Sequence, residues 1–378
     1  MSVVVEVEEK PKFDAGRVAM LVKELRKSFN AGRTRSFEWR VSQLKSIEKM
    51  LEEKRRRLLK LFLRTSQKPG LEAFCVISQV KSSCKLALKR IESLDDSRKA
   101  GNAVVLKPSE IAPATSLLVS NFAEEYLDNS AIKAVEGAID ETTALLDQKW
   151  DGILYTGSAR VGRIVMATAA VHLTPITLEL GGKCPAVVDS NANLQKDTPT
   201  ILLDVPEDSL IMQEKKFGPL VPILIVSTIV ILSTERCYFA AQSALLIVTV
   251  ENLEDNFEVI NSKPKPLAAY LFTNDEQLKK AFVQNISLGG MLINDTIIHV
   301  VVEGLPFGGV GESGMGSYHG KFSFDAFSHK KAVLYRSFDG DASVRYPPYT
   351  PEKQKLLKAL ISGNIIAIIL ALIGWSKD

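Results

Sequence analysis

Cysteine and histidine are both scarce in this sequence. The 378 residues contain four cysteines and four histidines, with no C-x-x-C spacing, so neither a zinc site nor a disulfide framework is expected. The excess of basic over acidic residues is also small, since the net charge is +3. We therefore expect no nucleic-acid partner. Residues 1–11 lack the basic start and apolar run of a signal peptide, which predicts a cytosolic protein that is not secreted.

The densest basic run, KRRR at 54–57, directly follows two glutamates in a helix-like segment. Such a run is typical of a solvated helix face, and a site for a polyanion is the alternative.

Helical spacing of apolar residues dominates roughly the first sixty positions, and residues 76–91 form a further helix candidate. From residue 103 the pattern changes to alternating strands and helices. Strands are predicted at 103–106, 132–135, 152–155, 176–178 and 186–188, and helices at 113–127, 140–146 and 159–169. Repeated β-α units of this kind predict a parallel sheet with helices on both faces. After a polar linker at 190–197, a second α/β region is predicted to extend to about residue 327, with strands at 220–226, 268–272 and 290–293.

A phosphate-binding turn is predicted at the end of the strand at 152–155. The G-x-G-x-x-G fingerprint of ordinary dinucleotide-binding proteins is missing. Gly157 and Ser158 instead end a strand and open a helix, and Gly162 follows one turn later. Free backbone N–H groups and the positive end of the helix can face a pyrophosphate there. A plain structural turn is the alternative.

Several motifs together carry a family resemblance. They are VLKPSE at 105–110, YTGS at 155–158, LELGGK at 178–183, FGP at 217–219 and PFGG at 306–309. With these motifs the chain resembles the aldehyde dehydrogenase superfamily, and most of all its class 3 branch of plant fatty aldehyde dehydrogenases. The resemblance implies an α/β fold, with a parallel-sheet dinucleotide-binding domain and a truncated α/β catalytic domain.

The resemblance also implies roles for individual residues. Glu179 is expected to act as the general base that activates water, since a partly buried carboxylate with a raised pKa suits that role. Lys107 and Glu110 are expected to hold the adenosine ribose of NAD or NADP, with Gly137 on the adenine side. The remaining cofactor contacts are implied for Gly157, Ser158, Gly162, Leu180 and Phe217. The expected substrate is a medium- or long-chain aldehyde.

The chain departs from the family pattern in four places. A segment that carries the asparagine of the oxyanion site is missing near 92–100, and the G-Q-x-C loop with the nucleophilic cysteine is missing between 191 and 199. Lys215 stands where the family has a glutamate for the nicotinamide ribose. Residues 227–248 form an apolar insertion, either a buried strand or helix or retained non-coding sequence. Loss of a strand is also expected to expose the edge of its neighbour in the sheet.

Two functions remain open at this point. The first is an aldehyde dehydrogenase that oxidises aldehydes to carboxylic acids with NAD(P)+. The second is a catalytically inactive family member that binds nucleotide weakly or binds a partner. Cys184 lies five residues after Glu179, but a small buried cysteine is the expected role for it. His319 and His329 are expected to be structural.

The predicted domains are residues 1–195 for the N-terminal helices and NAD(P)-binding domain, 196–330 for the truncated catalytic domain, 331–355 for an oligomerisation segment and 356–376 for a membrane anchor. The apolar run at 359–375 has flanking lysines and Trp375, which suit an interface. A buried C-terminal helix is the alternative. We expect a cytosol-facing protein that associates with a membrane through this tail and forms a homodimer.

Overall fold

A computed structural model describes most of the chain. The described residues are 15–65, 70–93, 101–189, 200–203, 220–223, 229–235, 246–250, 257–258, 260–296, 298–337 and 343–372. The chain divides into two compact units, Met1–His329 and Lys330–Asp378. The predicted domain boundaries at 195 and 355 stay predictions.

Four N-terminal helices precede the first strand. They are α1 (Ala15–Asn30), α2 (Phe37–Glu53), α3 (Arg55–Thr65) and α4 (Gly70–Ser93). The amphipathic prediction is confirmed, since Val18, Val22 and Leu25 fall on one face of α1 and are all buried. Ser36 caps α2, because its Oγ accepts the Trp39 N–H at 3.0 Å.

The predicted β-α units follow in the expected order. They are β1 (Val104–Leu106), α5 (Pro113–Tyr126), β2 (Ile132–Ala134), α6 (Ile139–Leu146), β3 (Ile153–Gly157), α7 (Ala159–Val171) and β4 (Ile176–Leu180). β1 pairs with β2 and β3 pairs with β4, both in parallel. The expected single sheet is divided, however, because β1-β2 and β12-β4-β3 form separate sheets, with β12 (Gly314–Met315) antiparallel to β4.

Helix α6 packs against both of these small sheets. Leu145 belongs to the core cluster that includes Val105 of β1. Leu146 belongs to the cluster that includes Leu178 and Leu180 of β4. One helix therefore covers apolar residues of both sheets.

The remaining strands form a seven-stranded sheet of order β11-β10-β5-β8-β9-β7-β6. Its strands are β5 (Lys183–Asp189), β6 (Thr200–Leu203), β7 (Leu220–Ile223), β8 (Ile229–Glu235), β9 (Leu246–Val250), β10 (Ala268–Phe272) and β11 (Gly290–Ile293). α8 (Glu276–Asn285) covers it, and Leu271 and Phe282 are fully buried in the shared core. β5, which we predicted within the dinucleotide-binding domain, pairs with β10 instead. β8 lies inside the predicted insertion and pairs with β5 and β9. The interpretation of that segment as retained non-coding sequence or a faulty gene model stays a prediction.

The unit that begins at Lys330 contains α10 (Pro351–Ser362) and α11 (Ile365–Leu372); α9 (Gly320–Ala326) precedes it in the first unit. Gly363 ends α10 with a φ of 65°. The side chain of Asn364 then accepts the Ala367 N–H at 3.0 Å and starts α11. The apolar run of the tail is thus divided between two helices. No helix among the described residues has both the length and the apolar character needed to cross a membrane.

Candidate active site

Glu179 lies near the carboxyl end of β4, between two other strands. Its Cα partners are Thr156 on β3 and Gly314 on β12. The residue is 3% exposed, and within the described part of the chain its Oε1 has no hydrogen-bond partner. Burial raises the pKa of its carboxyl to about 7, because an apolar environment disfavours the charged form. Glu179 is therefore able to exchange a proton close to neutral pH, as expected of a general base.

A glycine-rich loop at 309–314 covers this end of β4. Leu180 donates its N–H to the backbone carbonyl oxygen of Ser313 at 3.0 Å, and Ser313 is fully buried. A Cβ on Gly314 would collide with the Leu178 carbonyl oxygen, so the close approach of the two strands requires glycine there. This loop was not predicted from the sequence, although the glycines of the run GGVGESGMG at 308–316 indicate close backbone contact.

An aromatic cluster joins the two ends of the loop. Phe307 and Tyr318 exchange two backbone hydrogen bonds of 2.9 Å, and His319 stacks on the Phe307 ring with centroids 5.2 Å apart. Burial, and then the charge of Glu179, raises the pKa of Tyr318 to about 12. Burial lowers the pKa of His319. These packing contacts agree with a structural role for His319.

Four of the predicted cofactor residues come together beside Glu179. Gly157 ends β3 and pairs with Leu180 of β4. Ser158 caps α7 through its Oγ, which accepts the Val161 N–H at 3.4 Å. Gly162 lies against Leu180, since an added Cβ would be 2.7 Å from Leu180 Cδ2. The N-terminus of α7 therefore opens next to the base, in an arrangement that favours anions.

The three other described candidates lie at the ends of β1 and β2. Lys107 Nζ forms an ion pair with Glu110 Oε2 at 2.6 Å, and the lysine side chain is 18% exposed. The lysine holds the pKa of Glu110 below its usual value. Gly137 lies against the side chain of Glu141, whose Oε2 accepts the Ala138 N–H at the start of α6. In this structure Gly137 thus has a local structural role, and its predicted contact with adenine stays a prediction. Phe217 lies outside the described residues.

Neither of the two described thiols is exposed. Cys184 is 0% exposed and its Sγ lies 3.9 Å from the Gly182 oxygen. Cys84 is buried, and burial raises the pKa of its thiol to about 11, far from the thiolate form that a nucleophile needs. The side chain of Cys75 and all of Cys237 lie outside the described residues.

A sequence profile described as "Aldehyde dehydrogenase family" matches residues 99–198 and 243–333. The unmatched part between them contains most of the predicted insertion at 227–248, whose last residues fall inside the matched segment. The first match begins at the site of the first predicted gap, and it ends at the site of the second.

Curated plant proteins are similar to nearly the whole chain. Aldehyde dehydrogenase family 3 member I1, chloroplastic, of Arabidopsis thaliana is 42% identical, with 98% of this chain and 88% of the relative covered. Family 3 member H1 of the same plant is 38% identical, with 97% and 99% covered. The first alignment extends over 509 positions and this chain has 378 residues. At least 131 aligned positions (509 minus 378) therefore carry no residue of this chain.

Solved structures of similar fold include "Substrate bound state of Staphylococcus Aureus AldH". It is 25% identical with a TM-score of 0.76, and the match covers 91% of this chain and 99% of that chain. The Mycobacterium tuberculosis aldehyde dehydrogenase complexed with NAD+ is 20% identical with a TM-score of 0.65, and the match covers 86% and 92%. The α/β fold predicted from the sequence is thereby confirmed.

Proposed function

The chain belongs to the aldehyde dehydrogenase family, in its class 3 branch, and we propose that Glu179 is the general base in its oxidation of aldehydes to carboxylic acids with NAD or NADP. One observation carries this assignment. Glu179 is buried, its Oε1 has no hydrogen-bond partner among the described residues, and its pKa is raised to about 7. A carboxylate of that basicity can accept a proton from water at neutral pH.

The residues around the N-terminus of α7 fit a dinucleotide. A bound nicotinamide cofactor would supply the acceptor for the hydride that leaves the aldehyde carbon. Ser158 uses its side chain on one N–H of the first turn, and the exposed Arg160 adds positive charge at the same end of the helix. Arg160 and the positive end of the helix favour a pyrophosphate, whereas the Ser158 side chain stabilises the turn and occupies the Val161 N–H. Lys107 is assigned to the adenosine ribose, with Glu110 as its ion-pair partner.

A second candidate function is nucleotide binding without turnover, and the cysteines favour it. The family reaction begins with a cysteine thiolate that adds to the aldehyde. Cys84 and Cys184 are buried, and the sequence has no G-Q-x-C loop. Loss of a covalent nucleophile removes the step on which later steps depend.

One set of measurements separates the two functions. Purified protein is titrated with NAD and with NADP by fluorescence and is then assayed for aldehyde-dependent formation of reduced cofactor. Nucleotide binding with turnover that is lost in Glu179→Gln, but kept in Glu124→Gln, supports the dehydrogenase. Glu124 is an exposed carboxylate on α5 and serves as the matched control. Binding without turnover supports the second candidate, and absence of binding contradicts both.

We further propose that the substrate is a medium- or long-chain aldehyde and that the chain associates with the cytosolic face of a membrane through its tail. The support is the apolar surface of α11, where Ile365, Ile366, Ile369 and Leu372 are between 53% and 72% exposed. Apolar helix faces of this kind insert into the membrane interface. Co-sedimentation with lipid vesicles should fall in Ile366→Asp, whereas Val171→Asp, an exposed apolar position on α7, should leave it unchanged.

We propose a homodimer in which an exposed segment of one copy pairs with a sheet edge of the other copy. β11 is an edge strand, since within the described part of the chain only β10 pairs with it. A cavity of about 270 Å³ beside it is lined by apolar residues that include Val283, Ile286 and Met291. Leu334 and Tyr335 are 83% and 92% exposed in a segment that belongs to no helix or strand, so the segment is available for addition to a sheet edge. Light scattering should report a dimer that Leu334→Asp dissociates and Leu173→Asp, at an exposed leucine elsewhere, does not.

A further inference from the structure

An open groove lies between α3 and α5, apart from the candidate active site. Leu61 of α3 and three residues of α5, Ala114, Leu117 and Leu118, form its apolar lining. Leu117 is 46% exposed although it lies on this apolar surface. The volume is about 250 Å³, just below the range of roughly 300–1,000 Å³ for pockets that enclose a whole ligand, so the groove has room for one end of a chain molecule.

Two cations line the same groove. Arg57 and Lys60 lie one turn apart on α3. Neither forms an ion pair with an acidic side chain among the described residues, in contrast to the neighbouring Lys54, which pairs with Glu125 at 2.8 Å. The guanidinium of Arg57 lies 5.8 Å from the centre of the Phe122 ring. The expected solvated helix face agrees with the exposure of Arg55, Arg56 and Arg57, whereas Lys54 is half-buried and directed toward α5.

We propose that this groove binds the carboxylate end of a single-chain fatty acid. The two cations carry positive charge without an acidic counterpart, so the complementary ligand is an anion. Arg57 presents a planar group that matches a carboxylate. The leucines and Ala114 offer apolar surface for methylene groups, which would remove Leu117 from water. An anion without an alkyl chain leaves this surface exposed, and an uncharged chain leaves the cations unpaired.

The site is tested by equilibrium dialysis of the full chain with labelled dodecanoate, below its micelle concentration, and with dodecanol and inorganic phosphate as separate probes. We expect saturable binding of dodecanoate at one site and much weaker binding of the other two probes. Arg57→Gln and Lys60→Gln should each weaken binding about tenfold, since each removes a charge-assisted contact. Leu117→Asn should weaken it as well, because it removes half-exposed apolar surface from the groove.

Arg56→Gln is the matched control, because Arg56 is an exposed arginine on the same helix that does not line the groove. It should bind dodecanoate as the unmodified chain does. Equal weakening by Arg56→Gln would reduce the effect to general electrostatics and overturn the proposal. So would binding of dodecanol or of inorganic phosphate with the same strength as dodecanoate, or failure to bind dodecanoate. Dodecanoate is also a carboxylic acid of the kind that the proposed reaction produces, so the variants decide where it binds. Arg57 and Lys60 line this groove and not the candidate active site, and binding that both variants leave unchanged would overturn the proposal without touching the catalytic function.

Discussion

Replacing Glu179 with glutamine is expected to change how the stability of the protein depends on pH. Burial raises the pKa of this carboxyl from 4.5 to about 7. The native state therefore binds more protons than the unfolded state between these two values, and stability falls as the pH rises through them. The loss in the free energy of unfolding is absent below the pKa that Glu179 has in the unfolded state. It is complete above the pKa that Glu179 has in the native state. It amounts to about 3 kcal/mol, since one pKa unit corresponds to about 1.4 kcal/mol.

Glutamine does not ionise, so the variant should lack this component of the pH dependence. A buried amide without partners has its own cost, but that cost is the same at every pH and cancels when slopes are compared. The assay is equilibrium unfolding in urea at a series of pH values from 4 to 8. The free energy of unfolding of the unmodified chain should fall by about 3 kcal/mol relative to Glu179→Gln across this range. Glu124→Gln, at an exposed position, should follow the unmodified chain.

Parallel pH profiles for the unmodified chain and Glu179→Gln would contradict a raised pKa of Glu179 in the native state. They would mean that Glu179 has the same pKa in both states, so that burial between β3 and β12 does not determine its protonation. A difference of the opposite sign would mean that a partner stabilises the charged form.

Three further substitutions are tested by urea unfolding, two at the N-terminus of α7 and one between β5 and β10. Ser158→Ala removes the cap of α7 and should cost about 0.5–1 kcal/mol, with weaker nucleotide binding. Gly162→Ala places a methyl group 2.7 Å from Leu180 Cδ2; overpacking exceeds the gain in helix propensity, and we expect a net loss of about 1 kcal/mol. Thr273→Val removes a buried 2.6 Å hydrogen bond to Asp189 Oδ2 and should cost about 1–3 kcal/mol. Unchanged unfolding free energies would contradict the corresponding packing arguments.

Local patterns predicted the β-α units well. The strands at β1 to β4 and the helices between them lie where periodicity and turn residues placed them, because each unit has its own spacing and cap. Exposure of the β1 edge was also foreseen from the missing segment: Val104 and Leu106 are each 38% exposed, and β1 pairs with β2 alone among the described strands.

Contacts between distant segments were not predictable in the same way. The pairing of β5 with β10 and β8 joins residues far apart in sequence, and short apolar strands carry no information about their partners. The contact between the loop at 309–314 and β4 was unpredictable for the same reason. It is a hydrogen bond between the backbones of Leu180 and Ser313, which does not depend on the side chains. Motifs identified Glu179 itself, whereas its burial and raised pKa depend on β3, β12 and the loop at 309–314.

The protonation of Glu179 is the most direct measure of the proposed base. Infrared difference spectra between the unmodified chain and Glu179→Gln isolate the carboxylic acid band of this one side chain, which can be followed during a pH titration. We predict that the band disappears with a midpoint at about 7. A midpoint near the ordinary value of 4.5 would contradict the assignment, because such a carboxylate would be too weak a base to activate water at neutral pH.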